Sequence, residues 1–87
     1  MAYSLVIVPS AQKQTFPLPK ETQVEVAKAI DGLRDNPRPA RCKKLRETGL
    51  WRIRVKRYRV VYDIDDDTQT VTVLKVAVRR EDTYKGI

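Results

Sequence analysis

Arg52, Arg54 and Lys56 alternate with Trp51, Ile53 and Val55 along one stretch of the chain. That alternation predicts a β-strand with its cations on one side and its apolar residues on the other. Arg59 opens the next apolar run, so the positive charge continues across a sheet. Arginine keeps its charge at any working pH and grips phosphate oxygens through a two-pronged set of donors. A face of this kind suits a polyanion, and a nucleic-acid backbone first of all. Arg80, just past the last predicted strand, joins Arg52, Arg54 and Arg59 at strand starts and ends that converge on the open face. Around a scissile phosphodiester, four such groups would stabilise the charge of a pentacovalent phosphorane.

Tyr84 is the residue with a titratable proton close to those cations in the sequence. A phenol with an ordinary pKa of about 10 is a poor base in water. Neighbouring guanidinium charges favour the phenolate and lower that value. The phenolate could then take the proton from an RNA 2′-hydroxyl attacking the adjacent phosphate. The residue types leave a second reading open, in which Tyr84 packs its ring on the sheet edge or stacks on a base with no role in proton transfer.

Other chemistry finds little support. The chain has no His, which removes His-based metal sites, Ser-His-Asp triads and the His pair of many ribonucleases. Cys42 is alone, so it can form neither an intramolecular disulfide nor a structural zinc site. Asp65, Asp66 and Asp67 cluster at a predicted hairpin tip, which reads as a solvated turn rather than a Mg²⁺ site. No metal and no cofactor are expected. Trp51 shares the apolar register of Ile53 and reads as core, with Tyr58 and Tyr62 alternating inward beside Val60 and Ile64.

The charge is uneven. Lys and Arg number 18 against 11 Asp and Glu, a formal net charge of +7 in 87 residues. Between Arg38 and Arg59 there are ten basic residues and one acid, Glu47. Solvated surfaces usually mix the two signs, so one surface of this protein favours an anionic partner. No apolar run approaches the roughly 18 residues of a membrane span, and Met-Ala-Tyr-Ser has no signal-peptide layout. A reducing cytoplasm is the expected setting, and residues 1–87 are expected to form a single domain. Folding at this size hides only about 60–65% of the surface the unfolded chain exposes, enough for one sheet under one layer of helix.

The elements that must position these residues follow in order. Tyr3–Val8 reads as a strand closed by Pro9. Ser10–Thr15 reads as a short helix with Ser10 as N-cap, interrupted by Pro17 and Pro19. Lys20–Asp35 reads as a helix, with Val26, Ile30 and Leu33 as its apolar stripe and Val24 and Ala27 flanking it. A basic loop or short strand follows from Arg38 to Glu47, and Thr48-Gly49 turns the chain into strand Leu50–Lys56. Strand Arg59–Ile64 precedes the Asp65–Gln69 turn. Strand Thr70–Val78 is apolar on both faces, with Val71, Val73 and Ala77 on one and Thr72, Leu74, Val76 and Val78 on the other. The class is α+β: a small, mostly antiparallel sheet of about four strands, helices on one face, and the other face open for the cations.

From Tyr3 to Tyr84 this pattern resembles the RelE/ParE superfamily of toxins from type II toxin–antitoxin pairs. The resemblance rests on Ser10-Ala11, Leu18-Pro19, Leu33-Arg-Asp-Asn-Pro37, Lys44-Leu45, Leu50-Trp-Arg-Ile-Arg-Val55, Tyr58-Arg-Val-Val-Tyr62, and Arg79-Arg80 followed by Tyr84. It implies a RelE-like fold and, on the RelE-like branch, an endoribonuclease that cuts translated mRNA in the ribosomal A site. Arg52, Arg54, Arg59, Arg80 and Tyr84 match the positions that carry activity there, and the resemblance favours Tyr84 as the base. Lys43, Lys44, Arg46, Lys56, Arg57 and Arg79 would then grip RNA backbone. A cognate antitoxin covering the basic face is implied as a partner. The alternative is a ParE-like inhibitor of gyrase that cleaves nothing. Two departures matter. Arg52 and Arg54 stand where the best-known member has lysines, and arginine cannot act as a general base. Arg79 stands where many relatives carry a His.

Overall fold

The computed structural model describes residues 2–78. Its first strand, β1 (Ser4–Ile7), is one residue shorter at each end than the alternation predicted. Pro9 takes the first position of helix α1 (Pro9–Thr15), with Val8 rather than Ser10 as the N-cap. Proline prevails there because its fixed φ already matches a helix and its missing N–H is one the first turn leaves unbonded. Pro17 and Pro19 separate α1 from α2 (Lys20–Gly32) as expected. Gln23 fastens that connection, donating from Nε2 to the carbonyls of Phe16 at 3.0 Å and Leu18 at 2.9 Å. The helix ends before the predicted Asp35. Leu33, Arg34 and Asp35 bond back to carbonyls three residues earlier, the tightening usual in a last turn.

Four strands follow: β2 (Lys43–Lys44), β3 (Trp51–Val55), β4 (Tyr58–Asp65) and β5 (Thr70–Val78). The sheet runs β1-β5-β4-β3-β2, with β1 parallel to β5 and every other pair antiparallel. It has five strands rather than about four, because the basic stretch pairs briefly as β2. The connection to β3 closes when the Leu45 N–H donates to the Leu50 carbonyl at 2.7 Å and the Gly49 N–H to the Leu45 carbonyl at 3.0 Å. Gly49 makes that fold-back at φ 74°, a conformation glycine enters without steric cost.

Both helices cover one face. The stripe Val26, Ile30 and Leu33 is buried with Ala11 against Ile53, Val55, Val60, Tyr62, Val71, Val73 and Val76. Val24 and Ala27 stay exposed. Tyr62 is fully buried, and its hydroxyl donates to the Pro37 carbonyl at 2.7 Å. Burial, and after it the nearby Cys42, pushes that phenol far above its ordinary value.

β5 departs from regular alternation. Val61 of β4 faces Lys75, yet Tyr62 faces Val73, so Leu74 is an extra residue, a β-bulge. The strand is apolar on both faces because the bulge swaps its parity, and only one face is covered by helix. Val71 and Val73 share the covered face with Val76, not with Ala77. Beyond Val73, β5 has no β1 beside it, and α1 closes the gap: Gln14 Oε1 accepts the Val76 N–H at 2.7 Å. Among the described residues, no helix is long and apolar enough to cross a membrane.

Candidate nucleic-acid interface

Residues directly opposite one another on paired strands point to the same face. On the helix-free face of this sheet, register therefore gathers the cations into two cross-strand rows. Arg54 faces Arg59, and Arg59 faces Ala77. Two residues along β3, Arg52 faces Lys43 on one side and Val61 on the other, and Val61 faces Lys75. Like charges are thus directly opposed twice, at Arg54–Arg59 and at Lys43–Arg52. Taken alone, like charges directly opposed disfavour strand pairing by about 0.2–1 kcal/mol, and Arg52 and Arg59 each have other interactions as well. Arg54 is exposed, and Arg52 and Arg59 are half-buried. Arg54 forms no ion pair with any described residue. Among the described residues, the acids on β4's open side are Asp63, one step beyond Val61 and opposite Thr72, and Asp65, opposite Thr70.

The structure thus brings Arg52, Arg54 and Arg59 to one face, as the strand alternation implies, and adds Lys43 from β2. Lys56 differs. It occupies the two-residue turn between β3 and β4 at φ 55° and reaches Glu25 of α2, Nζ to Oε2 at 3.7 Å. Arg57 shares that turn and Arg46 the β2–β3 connection, both exposed. Lys44 faces Trp51 across the strands, on the side of the buried Tyr62, and its Nζ lies 5.8 Å from the Trp51 ring centre. Arg38 lies over the same ring at 5.1 Å. Trp51 is accordingly half-buried, packed against the core yet faced by two cations, because the loop after α2, not a helix, covers this corner. Arg79, Arg80 and Tyr84 lie outside the described residues.

The Asp65–Asp67 turn forms where expected. Asp65 Oδ1 accepts the Asp67 N–H at 3.0 Å and the Thr68 N–H at 3.2 Å, as Asp does in turns. Asp66 is not merely solvated, however. Both its carboxylate oxygens accept from Arg38, at 2.8 and 3.3 Å, and Oδ1 also accepts the Tyr3 hydroxyl at 2.7 Å. The Arg38 guanidinium and then the Tyr3 hydroxyl hold that carboxyl below its usual range. The carboxylate in turn raises the Tyr3 phenol.

Lys75 escaped the sequence reading. Period two counted from Val71 and Val73 assigns it to the covered face, and nothing in the residue types announces the bulge that turns it outward. A hollow of about 590 Å³ lies elsewhere, between the helices and β1, lined mainly by Leu5, Ile7, Phe16, Val26 and Ile30. It holds no cation and lies on the helix side of the sheet, away from the arginine rows.

A small α+β domain with one helix-covered sheet face and one cationic open face has the build of a toxin from a type II toxin–antitoxin pair. The chain belongs to the ParE toxin family of those systems, matched over residues 7–83, and falls on the RelE-like branch of the RelE/ParE superfamily. It is similar to the archaeal RelE of the RelE–RelB complex from Pyrococcus horikoshii, at 29% identity over 93% of this chain and 99% of that one, with a TM-score of 0.84. Similarity to a chain of the RelBE2 toxin–antitoxin complex from Mycobacterium tuberculosis is 28% identity over 91% and 100% of the two chains, TM-score 0.80. The isolated RelE toxin of E. coli matches at 26% identity over 95% and 92%, TM-score 0.78. No curated protein matches the chain in sequence.

Proposed function

We propose that this toxin is a ribosome-dependent endoribonuclease that cuts translated mRNA, acting from the cytoplasm and held in check by a cognate antitoxin. The observation that carries this reading is the direct opposition of Arg54 and Arg59, with Lys43 and Arg52 in the adjacent row. A face that gathers four cations, with Arg54 forming no ion pair with any described residue, has the positive potential that an anionic ligand needs.

In the proposed reaction, the 2′-hydroxyl oxygen attacks the adjacent phosphorus and loses its proton to Tyr84. The new O–P bond forms as the bond to the 5′-oxygen breaks. The products are a 2′,3′-cyclic phosphate, open to later hydrolysis to a 3′-phosphate, and a 5′-hydroxyl, with the leaving oxygen protonated by water or assisted by Arg80. Arg52, Arg54 and Arg80 hold and stabilise the phosphorane, and Arg59 orients it. Arginine has no acceptor and no accessible proton loss, so the base must come from elsewhere, and Tyr84 is the candidate. Lys43, Lys44, Arg46, Arg57 and Arg79, with Lys56 at the rim, contact RNA backbone, so affinity falls steeply with salt. The relatives solved with RelB antitoxins support an antitoxin partner.

A second reading, a ParE-like inhibitor of gyrase without nuclease activity, draws on the ParE family match. Inducing the chain in bacteria and mapping message ends separates the two. Codon-positioned cuts that vanish with Arg80→Ala and Tyr84→Phe support the nuclease. Stalled replication with intact messages supports ParE-like action.

A further inference from the structure

We infer that Lys75 completes a subsite for a phosphate next to the one that reacts, an inference that rests on the nuclease reading. Regular alternation from Val71 and Val73 would bury Lys75 among the core residues, where an unpaired ammonium costs several kcal/mol. The extra residue at Leu74 turns it to the open face instead, and returns Val76 to the core. Bulges re-aim side chains in this way. Lys75 then faces Val61, whose neighbour on the far side is Arg52, itself opposite Lys43. The short apolar Val61 puts no acid within the row; Asp63, one step further along β4 on the same face and opposite Thr72, forms no ion pair with a described residue. Lys75 is exposed and forms no ion pair with a described residue.

The row Lys43–Arg52–Lys75 spans all four antiparallel strands, and Arg52 and Lys75 stand about 10 Å apart, two strand spacings. It lies about 6.7 Å, two residues along a strand, from the Arg54–Arg59 row. That offset is comparable to the step between successive phosphates of an extended RNA strand. The division of residue types fits the task. Arginine forks fix the phosphate that must be placed for reaction, and a lysine point charge on a flexible stem follows a neighbour whose position varies.

The test measures single-turnover cleavage of a short message on programmed ribosomes against toxin concentration. Lys75→Ala should raise the half-saturating concentration about tenfold, the scale of one charged hydrogen bond, and flatten the salt slope by about 0.7. The saturated rate should hold, and Lys75→Arg should restore binding. Neutralising one neighbouring phosphate as a methylphosphonate should cost the wild type about the same factor and cost Lys75→Ala nothing more. Unchanged half-saturation, or losses that add at every neighbouring phosphate, overturn the subsite and leave the nuclease reading standing. A fall in the saturated rate alone also overturns it, placing Lys75 in the chemical step. A wild type that cuts no message overturns both.

Discussion

Two sets of cations in this protein meet opposite surroundings. On the helix side and at the turn ends, basic side chains find carboxylates: Arg38 holds Asp66, Lys56 reaches Glu25, and Arg34 lies 3.5 Å from Asp31. On the open face, Arg54 looks across at Arg59 and Arg52 at Lys43. The same residue type thus serves two ends, and the neighbour decides which. A cation beside an acid ties one segment to another. Cations gathered on one face raise the local potential there.

Breaking the comparison is most direct on activity. Arg54→Ala should lower cleavage on programmed ribosomes about 10²–10³-fold, the usual cost of losing one preorganised donor to a developing oxyanion. Arg38→Ala, on the paired side, should change that rate little and lower stability by no more than about 1 kcal/mol, since its ion pair is exposed. Equal rates for Arg54→Ala and wild type would remove the distinction between the two faces.

The next effect concerns what holds the paired side in place. Tyr62→Phe leaves the Pro37 carbonyl without its donor in a buried position. It should cost about 1–3 kcal/mol in urea denaturation, and the loop bearing Arg38 should loosen with it. A loss near zero would mean that the loop is held chiefly by Arg38 and Asp66.

A smaller effect runs in the opposite direction. Arg54→Thr removes a like-charge pair from β3 and β4 and adds a good strand former. It should stabilise the fold by about 0.2–1 kcal/mol and raise Tm by a few degrees while abolishing cleavage. Stability gained together with activity lost is the signature of a residue kept for its ligand.

The alternation of Trp51–Val55 made the cationic strand legible, and the prolines at 9, 17, 19 and 37 delimited the helices to within a few residues. Val26, Ile30 and Leu33 were readable as core because their spacing leaves a helix no other face to bury. The expected strands Leu50–Lys56 and Arg59–Ile64 leave a turn at residues 57 and 58 and set Lys56 opposite Arg59; the turn lies one residue earlier and sets Arg54 there instead. What escaped had non-local causes. The bulge at Leu74 is a property of strand pairing, so period two misplaced Lys75, Val76, Ala77 and Val78. The Arg38–Asp66 contact joins residues 28 apart in sequence, and Lys56 left the open face because the strand ends one residue before it. Trp51 obeyed its register and still emerged half-buried, since the loop that covers it brings Arg38 rather than apolar side chains.

The smallest effect tests the paired side through pH. Asp66 is held below the usual carboxylate range by Arg38 first and Tyr3 second. A carboxyl with a depressed folded pKa contributes stability that is complete above its unfolded value of about 3.9 and is lost as pH falls through the folded value. The wild-type Tm should therefore gain an added acid limb below about pH 4, and Asp66→Asn should remove that limb. Tyr3 works at the other end. Its phenol is raised, chiefly by the hydrogen bond it donates to the Asp66 carboxylate, so its contribution is present below an unfolded pKa of about 10 and fades as pH climbs through the folded value. The buried Tyr62, raised by desolvation, adds to the same alkaline limb, so Asp66→Asn should flatten the acid side more completely than the alkaline one. Arg54→Ala, on the face where no described carboxylate pairs with it, should leave the acid limb as it was. If Arg54→Ala and Asp66→Asn blunted acid sensitivity alike, the two sets of cations would not be electrostatically separate, and the open face would be sharing acids with the rest of the molecule.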